Sequence, residues 1–304
     1  MTDRWNVLSL KCGDLELLVL PGVGGRLWDV RFQERSLLFQ NPDLVGAAID
    51  LTRLTSLPTR SPQFGFPLWG GEKTWIAPDR AWVEGATFPE LDSGDYAVLS
   101  EDDRHVLMQS KTCPVSQFSV KRSIEIRSAH QWTIEHSLTN KGTVPKDAGI
   151  WSVMMIDTPA RIAVAMEAPG FQLVFGDAAG LVLRHSAAVV ARCIRMQEFK
   201  ISLPNPNHRT LINWGDGGPW LMCSVPETGE QDVFAHGNPV EVFNSGDYPY
   251  CEAEWHSPMK TLAPGETLRF FQTFHIWANG GSASVPMSRV WEDAFHEETK
   301  SCMS

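Results

Sequence analysis

The feature that most constrains this chain is the form of its apolar pattern. Short runs, many of them alternating apolar and polar residues, are each closed by Gly, Pro, Asn or Asp. Amphipathic periodicity sustained over the ~10–12 residues that mark a helix is nearly absent. Candidate strands are Leu15–Leu20, Arg26–Phe32, Ser36–Gln40, Tyr96–Glu101, His105–Cys113, Phe118–Ile126, Gln131–Thr139, Ala148–Met155, Ile162–Met166, Gln172–Phe175, Arg195–Ile201, Thr210–Asn213, Trp220–Val225, Val240–Asn244, Tyr250–Trp255 and Thr267–Trp277. So many strands separated by turn signals predict an all-β chain, folded as a large antiparallel sandwich.

The clearest alternation is Gln131–Thr139, where Trp132, Ile134, His136 and Leu138 share one face. Asn140-Lys-Gly142 turns the chain, and Ala148–Met155 reads as the returning strand. Helix is expected in two places, a short turn around Gly46–Leu54 and a surface helix at Val285–Glu298. Leu57–Pro89 and Pro204–Pro219 resist a strand reading. The first carries Pro58, Pro62, Pro67, Pro78 and Pro89 among Phe64, Phe66, Trp69, Trp75, Trp82 and Phe88, a stiffened aromatic loop of the kind that carries function on a rigid scaffold.

With 304 residues, 43% apolar and 20% charged, the chain has material for one large core. Finding no internal repeat or linker, we expect a single domain over 1–304. A formal charge of −10 argues against nucleic acid and anionic membrane as partners and leaves small molecules. The first thirty residues contain no leader-like apolar run and no later stretch reaches membrane-spanning length, so a cytoplasmic protein is expected. The six cysteines stand singly without a CxxC pair, which predicts buried thiols, no metal knuckle and no metal.

Motifs for phosphate loops, serine elbows and zinc proteases are missing, and the Gly22–Gly25 cluster lacks dinucleotide-fingerprint spacing. Gly24-Gly25 reads instead as a tight connection between strands. The most informative stretch is Phe66–Asp79, in which Gly70-Gly71 permits a close backbone approach, Lys73 supplies a donor, and Trp69 and Trp75 supply flat apolar faces. Pyranose rings stack a C–H face on indole and need charged or amide partners for their hydroxyls, so this combination suits a sugar. Arg60, Lys73 and Arg80 could also engage an acidic sugar.

In Tyr250–His256 the strand period puts Glu252 and Glu254 on one face with Tyr250 and His256, and Cys251, Ala253 and Trp255 on the other. Two neighbouring carboxylates can raise one another's pKa, which is how a general base is poised near neutral pH.

These segments together resemble the galactose mutarotase-like superfamily of aldose 1-epimerases, in a branch marked by Gly-Gly-x-Lys-x-Trp-x-Ala-Pro. The likeness is carried by Leu20–Leu27 leading to Leu37–Asn41, by Gly70–Pro78, by Glu135–Asn140 preceding Gly149-Ile-Trp151, and by Glu252-Ala-Glu254 preceding Leu262–Glu266. It covers nearly the whole chain. The resemblance implies a β-supersandwich with few short helices and no cofactor. It also implies a late-strand glutamate, Glu252 or Glu254, as base on the anomeric hydroxyl, and a histidine as acid on the ring oxygen. Where the family's histidine motif would fall, this chain reads Trp151-Ser-Val-Met-Met155, so His136, His236 and His256 are the candidates for that role.

The expected activity is therefore interconversion of sugar anomers by acid/base ring opening, with Glu252, Glu254, His136 and His236 as catalytic candidates. Lys73, Trp75, Trp69, Arg60, Arg80, Asp79, Trp151 and His256 are the candidates for holding the sugar, and a homodimer is admitted. The rival expectations are a carbohydrate-binding protein without turnover and a lyase or hydrolase acting on uronic-acid or glycosidic substrates.

Overall fold

The computed structural model describes residues 3–54, 57, 66–82, 87–185, 187–195, 197–215 and 217–278. In chain order the strands are β1 (Leu8–Cys12), β2 (Leu15–Leu20), β3 (Arg26–Phe32), β4 (Arg35–Ser36), β5 (Glu72–Ala77), β6 (Ala97–Glu101) and β7 (His105–Gln109). Then follow β8 (Phe118–Ser128), β9 (Gln131–Asn140), β10 (Lys146–Asp157), β11 (Ala160–Ala165), β12 (Gln172–Gly176), β13 (Val182–His185) and β14 (Ala188–Cys193). The last are β15 (Phe199–Leu203), β16 (Arg209–Asn213), β17 (Trp220–Ser224), β18 (Val240–Asn244), β19 (Tyr250–His256), β20 (Lys260–Leu262) and β21 (Thr267–Trp277).

Among the described residues these form two antiparallel sheets. One runs β1-β2-β3-β5-β10-β19-β18-β15-β12, with β4 on β3 and β20 on β10; the other runs β13-β14-β11-β16-β17-β21-β9-β8-β7-β6. The sheets stack, and side chains alternating inward fill the space between them. In β9, Trp132, Ile134, His136 and Leu138 are all buried, as their alternation requires. Trp132 stacks on Phe274 of β21 with ring centroids 4.9 Å apart, and Trp255 of β19 meets the same Phe274 edge-on from the opposite sheet.

The site-bearing strands depart from this half-buried pattern. β5 and β19 are buried at every position, and β10 is buried from Ala148 to Ile156. Charged residues on their outer face are therefore withdrawn from water, a costly arrangement unless they are paired.

The expected aromatic loop Leu57–Pro89 contains a central strand, β5 (Glu72–Ala77), which pairs with β3 on one side and β10 on the other and is buried at all six positions. Gly70 and Gly71 allow its entry at φ of 108° and 71°. A Cβ on Gly70 would lie 2.2 Å from the Phe39 carbonyl oxygen, so the close approach is to the chain's own backbone. Within Pro204–Pro219, β16 falls at the expected strand Thr210–Asn213. Gly46–Leu54 holds isolated turns, closed by Ala47 N–H to Leu44 O and Arg53 N–H to Asp50 O. Helix appears as the four-residue Pro89–Asp92 and the 3₁₀ turn Asp79–Ala81; the expected helix at Val285–Glu298 lies outside the described residues. Cys113, Cys193, Cys223 and Cys251 are buried free thiols and Cys12 is half-buried. Among the described residues no helix is long and apolar enough to cross a membrane.

Candidate active site

Register aligns the outward side chains of six neighbouring strands into rows. Trp75 of β5 lies opposite Trp151 of β10, which lies opposite His256 of β19. In the next row Lys73 faces Val153, Val153 faces Glu254, Glu254 faces Glu241 of β18, and Glu241 faces Ser202 of β15. Below it come Met155, Glu252, Phe243, Lys200 and Phe175, the last on β12. Side chains of directly paired residues share a face, so these rows form one surface.

Two ion-paired groups occupy it. Lys73 Nζ lies 3.3 Å from Glu252 Oε1 and 4.2 Å above the Trp75 ring. Lys200 Nζ lies 2.9 Å from Glu254 Oε2 and 3.1 Å from Glu241 Oε2, and sits 4.8 Å above the Trp151 ring. Trp151 Nε1 donates to the same Glu254 oxygen at 2.8 Å, while Glu254 Oε1 is buried without a partner. Glu241 Oε2 also accepts from His256 Nε2 at 3.1 Å and His236 Nδ1 at 3.0 Å, and His236 Nε2 reaches Asp79 at 3.5 Å.

This packing moves the titrations apart. Burial, reinforced by Glu241 and Glu252, raises Glu254 to about 8 in spite of Lys200. Burial also opposes charge on Glu241, but Lys200 and the two histidines reverse the balance and hold it well below the usual carboxylate range. Burial lowers His236, yet Asp79 and Glu241 outweigh it and the imidazole rises to about 9. His256 is pushed down by burial despite Glu241, which makes it a neutral donor through Nε2. Burial works against Lys200, and Glu254 and Glu241 override it to hold the ammonium well above its ordinary value. Lys73 is lowered by burial, against the pull of Glu252.

The atoms that His236, Glu241 and His256 could offer a metal lie within 4.8 Å of one another. Glu241 Oε2 already takes hydrogen bonds from both imidazoles and pairs with the Lys200 ammonium, so we assign the cluster to ion pairing.

Of the residues singled out in the sequence, Glu252, Glu254, His236, His256, Lys73, Trp75, Trp151 and Asp79 converge on this surface. His136 does not. It lies between the sheets, with Nδ1 2.7 Å from Thr74 Oγ1 and Nε2 2.8 Å from Gln272 Oε1, on the inner side of β5 while Lys73 is on the outer. Burial, with Arg122 nearby, lowers it to about 3. Trp69 is also core: it is fully buried among Leu20, Val23, Trp28, Leu44 and Leu54 and donates to Ser93 Oγ at 2.8 Å. Arg80 is exposed on the turn that carries Asp79, and Arg60 lies outside the described residues.

Trp75 and Trp151 are 4% and 2% exposed, and their faces and edges are taken by Trp82, Phe66, His256 and the two lysines. They are supports for the charged groups, not open stacking faces. Trp75 is held from behind, since its Nε1 donates to Asp92 Oδ1 at 2.8 Å and Arg26 pairs with the same oxygen at 2.7 Å. Sequence reasoning missed Lys200 and Glu241. The signal available was a single charge inside an apolar strand, in Phe199-Lys-Ile-Ser-Leu203 and Val240-Glu-Val-Phe-Asn244.

No family model matches this chain, and no curated protein matches it in sequence. Solved structures do. A candidate aldose 1-epimerase of Escherichia coli K12 superposes with TM-score 0.59 at 14% identity, covering 90% of this chain and 99% of that one. A galactose mutarotase related enzyme of Lactobacillus acidophilus gives 0.57 at 8% identity over 92% and 100%. A galactose mutarotase-like protein of Lactobacillus casei gives 0.55 at 8% identity over 90% and 100%. With two stacked antiparallel sheets matched over nine-tenths of its length, this chain has the galactose mutarotase-like β-supersandwich fold.

Proposed function

We propose that the protein is an aldose 1-epimerase-like isomerase that opens and recloses the hemiacetal of a reducing sugar, with Glu252 as base and Glu254 as acid. The supporting observation is that two carboxylates on one face of β19, each beside a lysine ammonium, differ in burial and in how fully their oxygens are partnered. Glu252 is ion-paired and stands at the edge of the buried patch at 8% exposure, while Glu254 is fully withdrawn from water and presents an unpartnered Oε1. Residues two apart along a strand are about 6.6 Å apart at Cα, a separation that lets one carboxyl reach the anomeric hydroxyl while the other reaches the ring oxygen.

In this reading Glu252 takes the proton of O1–H, the C1–O5 bond breaks, and Glu254 delivers its proton to O5. The open-chain aldehyde turns about C1–C2. O5–H then adds to the other face of the carbonyl, its proton returns to Glu254, and Glu252 gives its proton back to O1. Lys73 and Lys200 hold the two carboxyls in place, and each positioned proton transfer contributes ~10²–10⁴ in rate. Proton NMR of freshly dissolved α-glucose and α-galactose, followed with and without the protein, tests the reading. Acceleration that Glu254→Gln and Glu252→Gln each remove supports it; a rate equal to the spontaneous one for every sugar assigns the protein to binding without turnover.

A further inference from the structure

With the tryptophan faces occupied, the aromatic surface open on this side of the sheet lies elsewhere. Phe243 and Phe175 are both half-buried, in the same row as Glu252, and their ring centroids are 6.1 Å apart. They come from β18 and β12, which do not touch; Lys200 on β15 separates them in register. Because the Lys200 ammonium is drawn into the next row by Glu241 and Glu254, it does not stand between the two rings. The result is an aromatic floor that starts beside Glu252 and ends at the sheet edge. Strands are spaced ~4.8 Å apart, so Phe175 lies roughly 14 Å from the Glu252 position, beyond the reach of one pyranose ring centred on the carboxylates. Gln172, exposed on β12 and paired in register with Ser202, adds an amide at the outer rim of the same face.

We infer that this floor is a second sugar subsite, and that the ligand is a reducing oligosaccharide whose terminal ring lies at Glu252 and Glu254 and whose next ring stacks on Phe243 and Phe175. The chemistry favours a saccharide because phenyl faces receive C–H faces of the ring and an amide both donates to and accepts from hydroxyls. The inference rests on the reading of the carboxylate pair as the anomeric site.

The test compares glucose and galactose with maltose, cellobiose and lactose. Affinity is measured by calorimetry, and anomer exchange is followed by NMR in the same samples. Expected is at least one disaccharide bound tenfold or more tightly than its component monosaccharides, with that advantage erased in Phe175→Ala and retained in Phe175→Trp. Gln172→Ala, at an exposed edge position, should reduce the advantage several-fold and guards against misfolding of the phenylalanine variant. Disaccharides bound no more tightly than monosaccharides, or an advantage that survives Phe175→Ala, would overturn the subsite. A disaccharide advantage without accelerated anomer exchange would overturn the isomerase reading alone, whereas accelerated exchange of monosaccharides without such an advantage would overturn the subsite alone.

Discussion

Lys200 and Glu254 meet at 2.9 Å although their strands are not neighbours; β18 runs between them, and its own Glu241 closes the triangle at 3.1 Å from the same ammonium. One cation thus satisfies two carboxyls that would otherwise face each other in a patch shielded from water. Lys200→Met should leave Glu254 without a cation and Glu241 with the two imidazoles alone, cost about 3–5 kcal/mol of stability and abolish the proposed turnover. Urea denaturation of wild type and variant reads the first effect; a loss below about 1 kcal/mol would show that the pair is not buried as described.

The pH profile of turnover follows from Glu254. As the proposed acid, raised to about 8, it must carry its proton, so activity falls as pH rises through that value. Glu254→Gln should lower the rate ~10²–10⁴-fold and remove the alkaline limb. Rates of anomer exchange between pH 6 and 10 check this, and an alkaline limb that persists in the variant would place the acid elsewhere.

His236 ties Asp79, on the turn after β5, to Glu241 on the sheet. Its pKa of about 9 in the folded protein exceeds the ordinary 6.5, so its contribution to stability is full below pH 6.5 and is lost as pH rises through 9. Melting temperatures of wild type and His236→Asn should differ most at pH 6 and converge by about pH 10. A gap constant over that range would mean the imidazole stays neutral.

His136 runs the other way. Folded, it stays neutral down to about pH 3, while in the unfolded chain it gains a proton near pH 6.5, so stability is lost as pH falls through that interval. His136→Asn should be less stable overall because Thr74 and Gln272 lose a partner, but its acid slope should be shallower by up to about 1.4 kcal/mol per pH unit. Anomer exchange should survive the change, since the residue lies behind the site strand.

How much of this was legible depended on whether the signal was local. Glu252 and Glu254 could be read directly, because Cys251, Ala253 and Trp255 fix the opposite face of the same strand. The alternation around His136 correctly put it with apolar neighbours, but which sheet face meets which is decided by packing between strands far apart in sequence. Lys200 and Glu241 were invisible as a pair for the same reason: the order β15-β18-β19 that joins them is not written in any one segment. Trp69 and Trp75 were both offered as sugar platforms by residue type alone, and burial by their own neighbours overrode that reading. β5 was masked by the prolines around it and by its own order of three polar residues followed by three apolar ones, Glu72-Lys-Thr-Trp-Ile-Ala77, which lacks the alternation of a half-buried strand because β5 is buried on both faces.

The outer face of β19 draws its partners from segments far apart in the polypeptide, with Lys73 and Glu252 separated by 179 positions. A ribosome-bound chain that has not yet emitted residue 256 therefore has neither carboxyl in place. Because β19 pairs with β10 on one side and β18 on the other, a product of translation or proteolysis lacking that strand lacks both carboxyls of the proposed site and the central pairing of its sheet.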